Sequence, residues 1–167
     1  MLSVYIKPLI FSLFILLIST HSVLWAADKR PELPRINDAR NEARLAQQKK
    51  LPILIMFGTE GCPFCQLLKE DFLIPMIISG DYINKVILRE EYVAADIYLI
   101  DFAGKKVSSS EFARRYGVSM YPTTVLVDHT GEPLVGKIIG VTTPSLFGGT
   151  LDDAIDKALL RLRPMVR

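Results

Sequence analysis

The chain has two cysteines, Cys62 and Cys65, and they stand two residues apart in the stretch GTEGCPFCQLL, Gly58 to Leu68. Three chemistries use such a pair: a structural disulfide, half of a metal site, and a redox centre. A structural disulfide across so short a loop restrains little of the unfolded chain and adds little stability. Structural zinc takes about four ligands, of which two thiols are half. There is no second CxxC, His21 lies in an N-terminal apolar segment, and His129 stands alone on a predicted turn. Covalent haem attachment needs histidine directly after the second cysteine, where this chain has Gln66. Redox chemistry fits best. Pro63 follows Cys62 directly, a position a helix tolerates in its first turn. Cys62 is therefore expected at a helix N-terminus, where unpaired N–H groups and the helix dipole favour a negative sulfur. Cysteines so placed have pKa values of roughly 3.5–7.5 rather than about 8.5. Cys65 falls one turn further in and is expected to be more buried. It can close a disulfide with Cys62, or attack a mixed disulfide formed there.

The flanking sequence predicts the elements that hold this pair. Arg35 to Lys50 carries Ile36, Ala39, Ala43 and Ala46 at three- and four-residue steps, the pattern of a surface helix with a narrow apolar face. Leu51 to Phe57 (LPILIMF) reads as a strand buried on both faces, and Gly58 to Gly61 as the loop leading to Cys62. From Phe64 a helical pattern continues to about Ile74, where Pro75 is expected to stop or kink it. Ser79 to Leu88 suggests another helical piece, and Tyr92 to Phe102 (YVAADIYLIDF) a second buried strand. After a turn at Ala103 to Lys106, a short helix from Ser110 to Tyr116 is closed by Gly117. Thr123 to Val127 reads as a third strand, Asp128 to Gly131 as a turn, and Leu134 to Ile139 as a strand returning antiparallel. A final amphipathic helix starts at Thr150 or Asp152, with Leu151, Ile155, Ala158, Leu159 and Leu162 on one face. This order implies an α/β fold, a central mixed β-sheet flanked by helices on both faces.

The N-terminus reads as an address rather than as fold. Met1 to Ala27 carries one charge, Lys7, then the apolar run LIFSLFILLI and small residues near Ala26. That is the layout of a secretory signal over 1–26; an uncleaved membrane anchor is the alternative. Residues 27–34, polar and with two prolines, read as a linker, leaving one domain over 35–163. With Lys7 set aside from the chain's 20 basic residues, 19 remain against 18 acidic ones, a near balance that gives no reason to expect a nucleic-acid partner.

GCPFC after a buried strand, with SMYPTTVLVDHTGEPL (Ser119 to Leu134) downstream, resembles the thioredoxin superfamily, and more closely its exported thioredoxin-like members of the SoxW or thioredoxin-related kind. The likeness spans roughly Ala39 to Leu160. It implies a thioredoxin fold and a thiol–disulfide oxidoreductase working through a redox-active Cys62–Cys65 disulfide, without metal or cofactor. It also implies that Pro122 is a cis-proline facing the cysteines, with Tyr121, Pro63 and Phe64 contacting substrate. The expected partners are disulfide-bearing protein substrates and a membrane thiol electron donor, in the periplasm or otherwise outside the cytosol; the chain is expected to be a monomer. Reduction is the expected direction, because there is no inserted helical domain of the DsbA type. A DsbA-like dithiol oxidase, and a copper-handling thioredoxin-fold protein using Cys62, Cys65 and His129, are the alternatives. Three departures stand out. Gly61 precedes Cys62 where thioredoxin has tryptophan, and Pro63-Phe64 separates the thiols where it has Gly-Pro. Met56 occupies the place of the buried acid expected about six residues before Cys62, so a proton relay to Cys65 must use water or another group. Glu60 and Lys50 are candidates, each also readable as a solvated loop charge. Finally, about 57 positions separate Cys65 from Pro122, which implies an insertion between Pro75 and Glu91.

Overall fold

The computed structural model describes residues 30–163, so the expected signal segment lies outside the described residues. The sheet is built on β1 (Ile53–Gly58), every residue of which is buried. Its side chains alternate between two apolar clusters: Leu54 and Met56 enter one, Ile53, Ile55 and Phe57 the other. Strand β1 pairs in parallel with β2 (Ile87–Tyr92) and antiparallel with β5 (Thr123–Val127). Strand β5 in turn pairs antiparallel with the two-residue β6 (Ile138–Ile139), giving the order β2-β1-β5-β6.

One face of this mixed sheet is covered by the helix that begins behind Cys62 and by the C-terminal helix. The first runs as α2 (Pro63–Leu68), a π turn (Lys69–Leu73) and α3 (Ile74–Ser79); the second is α5 (Pro144–Leu162). Leu68, Leu73, Phe147, Leu151 and Ile155 pack there on Leu54, Leu88 and Leu126. The other face carries α1 (Ala39–Lys49), the hairpin of β3 (Tyr98–Ile100) with β4 (Lys106–Ser108), and α4 (Ser109–Arg115). Phe57, Phe112 and Tyr116 meet there with ring centroids 5.4–5.9 Å apart. Each fully buried Leu, Ile or Phe contributes about 1.5–3 kcal/mol, so the two clusters fix the sheet between its helical layers. The α/β architecture expected from the element order is the one found.

Several elements differ from expectation. Pro75 does not end its helix. The π turn lets the backbone change its hydrogen-bonding step just ahead of the proline, which then sits in the first turn of α3. The piece expected to be helical between Ser79 and Leu88 is a turn followed by the start of β2. The strand expected over Tyr92–Phe102 is split: Tyr92 ends β2, and Tyr98–Ile100 belongs to the separate hairpin. Helix α1 starts at Ala39 rather than Arg35. The residues before it pair with β2, Ile36 donating to Glu90 O and Glu90 N–H to Pro34 O. Leu33, in the segment read as a linker, is 2 % exposed and packs in the core. The strand expected at Leu134–Ile139 keeps regular pairing only at Ile138–Ile139. Helix α5 begins at Pro144, well ahead of Thr150, because Phe147 buries against Phe72 at 5.2 Å between centroids.

Candidate active site

The C-terminal end of β1 delivers the chain into the cysteine turn. Gly61, at φ +68°, takes a left-handed conformation open to glycine and leads into Cys62, which caps α2. Cys62 Sγ accepts a hydrogen bond from the Cys65 N–H at 3.1 Å. This sulfur therefore sits where the first unpaired N–H groups of the helix converge. Cys62 and Cys65 form a disulfide, with Cα atoms 5.2 Å apart. Cys62 is half-buried and Cys65 only 4 % exposed. Beneath Cys65 lies Gly58: a Cβ there would come within 3.3 Å of Cys65 Sγ, so the last residue of β1 is kept bare by the close approach of the helix.

Register brings the proline loop to the same end. Thr123 of β5 pairs with Phe57, which places Pro122 level with Gly58. The Tyr121–Pro122 peptide is cis, and Pro122 is buried. The loop is tied down by Thr123 Oγ1 donating to Met120 O at 2.7 Å and Gly140 N–H donating to Pro122 O at 2.7 Å. Phe64 (60 % exposed), Met120 and Tyr121 leave apolar surface open at this end of the sheet; Pro63 is exposed as well. On the other side of the turn, toward β2, a recess of about 500 Å3 is walled by Thr59, Glu60, Gly61 and Gln66 with Arg35 and Tyr92.

Residues 39–155 match the family described as the thioredoxin-like domain. This chain belongs to the thioredoxin-like family. No curated protein matches it. Among solved structures, this thioredoxin-like chain is similar to mitochondrial thioredoxin 3 of Saccharomyces cerevisiae, at 23 % identity over 72 % of this chain and 94 % of that one, with TM-score 0.46. It is also similar to a thioredoxin-fold protein of Helicobacter pylori (26 % identity, 66 % and 81 % covered, TM-score 0.43) and to Fasciola hepatica thioredoxin (15 %, 75 % and 99 %, TM-score 0.49). A thioredoxin-like domain with a CxxC disulfide at the head of a helix is the arrangement of thiol–disulfide oxidoreductases.

Two candidates for a proton relay fall in different places. Glu60 lies exposed in the loop before Cys62. Lys50 caps the C-terminus of α1, before β1 begins, at the end of the sheet away from the cysteines. His129 follows β5 and is separated from Pro122 by the whole strand, roughly 17 Å at 3.3 Å per residue. Sequence reasoning missed a different set. Across the face covered by α2, Met56 is flanked in register by Glu90 of β2 and Thr124 of β5. Lys69, one helical turn after Cys65, donates from Nζ to Glu90 Oε1 at 3.0 Å, with side chains 16 % and 5 % exposed. Burial is the largest single influence and works against the Lys69 charge, but the hydrogen bond and charge of Glu90, together with Tyr92, outweigh it and hold the pKa above the ordinary lysine value. The signal was present in the paired acids of ILREEY, inside an otherwise apolar flank; acids rarely enter a core without a partner.

Proposed function

We propose that this thioredoxin-like protein is an exported thiol–disulfide oxidoreductase that reduces disulfides in protein substrates. The observation that carries the reading is the asymmetry of the pair: an accessible sulfur at a helix N-cap, bonded to a buried one a turn inside. In the reduced protein, the Cys62 thiolate attacks one sulfur of the substrate disulfide. A Cys62–substrate disulfide forms, and the other substrate sulfur leaves as a thiolate and takes a proton from water. Cys65 then attacks Cys62 Sγ, the Cys62–Cys65 bond forms, and the second substrate thiol is released. The substrate gains two electrons, and the pair loses them. A dithiol donor returns them by the same steps in reverse. For an exported protein that donor is a membrane thiol carrier, since this chain has one cysteine pair.

The exposed Phe64, Met120 and Tyr121 support a protein substrate, giving an extended segment apolar surface beside Cys62. Export rests on the apolar run after Lys7. A copper-handling role for Cys62, Cys65 and His129 would need that histidine beside the thiols, and β5 intervenes.

The test is insulin reduction with dithiothreitol by the mature protein. Wild type should catalyse it and Cys62→Ser should lose all turnover, while Cys65→Ser should accumulate mixed disulfides with partners. Equal inertness of wild type and Cys62→Ser would overturn the reading.

A further inference from the structure

The resolving step asks something of Cys65 that its surroundings make difficult. Its sulfur must lose a proton to attack, yet it is 4 % exposed, and an apolar environment disfavours the thiolate. The proton needs an acceptor on the face of the sheet beneath α2. Register defines that face. Gly58 backs the sulfur, Tyr92 pairs with Gly58, and one step down the sheet Met56 lies between Glu90 and Thr124. From the helix, Lys69 stands one turn from Cys65, bonded to Glu90 and 5.9 Å from the Tyr92 ring centroid. Glu90 is the carboxylate on this face. Its neighbour Glu91 points to the opposite face, and Arg35 reaches the Tyr92 ring and Glu91 from the strand edge.

Two polar atoms here are buried without a protein partner among the described residues: Glu90 Oε2 and Thr124 Oγ1. Buried polar atoms take hydrogen bonds, from ordered water where protein supplies none. We propose that Glu90, held in place by Lys69, accepts the Cys65 proton through water bound at Oε2 and Thr124 Oγ1. In this step the Cys65 S–H proton passes to the Glu90 carboxylate. The Cys65 thiolate attacks Cys62 Sγ, the Cys62–Cys65 bond forms, and the Cys62–substrate bond breaks, its electron pair leaving with the substrate sulfur. When a donor reduces the disulfide, protonated Glu90 returns the proton to Cys65. Glu90 and Lys69 are positioning residues in this scheme, acting on the sulfur through water and through each other. On its own face Glu90 meets Lys69 and Tyr92, with Met56 and Thr124 presented by β1 and β5; Arg35 at the strand edge and Glu91 on the opposite face are the other charged groups nearby.

This inference rests on the oxidoreductase reading, and a two-stage thiol reaction separates the two. Reduced full-length protein is mixed with 5,5′-dithiobis(2-nitrobenzoate). Release of the first thionitrobenzoate reports attack by Cys62, and release of the second reports resolution by Cys65. Glu90→Gln should leave the first phase within about twofold and slow the second by roughly tenfold or more at pH 7. The slowing should vanish toward alkaline pH, where hydroxide takes the proton. Glu90→Asp should restore part of the rate, and Thr124→Val should slow the second phase in the same pH-dependent way. The last two variants carry the test if Glu90→Gln does not fold. Unchanged second phases overturn the inference, as does a slowing independent of pH, which marks a merely structural role. A wild type that releases no second thionitrobenzoate overturns the oxidoreductase reading itself.

Discussion

Glu90 and Glu91 are neighbours in the chain, yet the pleat of β2 turns them to opposite faces, where they meet different fates. Glu90 finds Lys69. Glu91 is 1 % exposed opposite Phe57; among the described residues its ion-pair partner is Arg35, 3.9 Å from Oε1, and neither carboxylate oxygen has a hydrogen-bond partner. Burial pushes its pKa up, Arg35 opposes and Glu90 reinforces the rise, and the result is about 7 against an ordinary 4.5. The native state therefore holds this proton more tightly than the unfolded chain. Below the unfolded value both states are protonated and Glu91 is harmless. As pH rises from about 4.5 to 7 the unfolded state ionises first, and stability falls. The shift corresponds to a loss on the order of 3 kcal/mol. Urea unfolding of wild type at pH 4.5 and 7.5 should show this decline superimposed on the other titrations, and Glu91→Gln should flatten it. Identical pH dependence in the two proteins would rule out an ionisable Glu91 as its source.

The 93–97 segment, left outside both sheets when the expected long strand divides, is tied at its ends by Val93 N–H to Gly58 O and Ser109 N–H to Ile97 O, and between them by one buried hydroxyl. Ser109, at the start of α4, is fully buried; its Oγ accepts from Ala94 N–H at 2.9 Å and donates to Ala94 O at 2.8 Å. Ser109→Ala leaves both backbone groups without that partner, which costs about 1–3 kcal/mol. The expected result is a lower urea midpoint together with faster amide exchange at Ala94; a lower midpoint without faster exchange at Ala94 would locate the damage elsewhere. This same stretch shows which elements the sequence makes legible. Strands β1 and β5 lie inside the sheet, so their residues are buried on both faces, and β5 is read to the residue. Strand β2 is hidden by Arg89, Glu90 and Glu91, whose charges are met by Glu42, Lys69 and Arg35 from distant positions. The early turns of α5 hold Gly148 and Gly149, poor helix formers, and exist because Phe147 packs on Phe72. The cysteines and Pro122 are legible because their motif is local. Lys69, Glu90 and Thr124 are assembled from a helix and two strands by register, which no local spacing encodes.

At the scale of the whole molecule, the direction of electron flow is a stability question. The disulfide and dithiol forms of the folded and unfolded chain make a closed thermodynamic cycle. Whatever the Cys62–Cys65 bond adds to folding stability, folding adds to the bond. A fold more stable when oxidised resists reduction of its disulfide and so serves as a reductant when reduced; a fold more stable when reduced is an oxidant. Two terms oppose each other here. Closing a loop of this length restrains the unfolded chain by roughly 2 kcal/mol in the chain-entropy account. Against it, the N-terminus of α2 stabilises a Cys62 thiolate, which favours the reduced native form. A charge at an exposed helix N-terminus is worth about 0.3–1 kcal/mol, less than the loop term. The oxidised protein is therefore expected to unfold at higher urea than the reduced one, by about 1–2 kcal/mol. At 1.4 kcal/mol per 30 mV, this places the folded pair roughly 20–40 mV below the same cysteines in the unfolded chain. Paired urea titrations of oxidised and reduced protein at pH 7, with a glutathione titration of the folded pair, measure both sides of the cycle. A reduced form that outlasts the oxidised one in urea would reverse the assignment and make the protein an oxidant, with the fold and the cysteine chemistry unchanged.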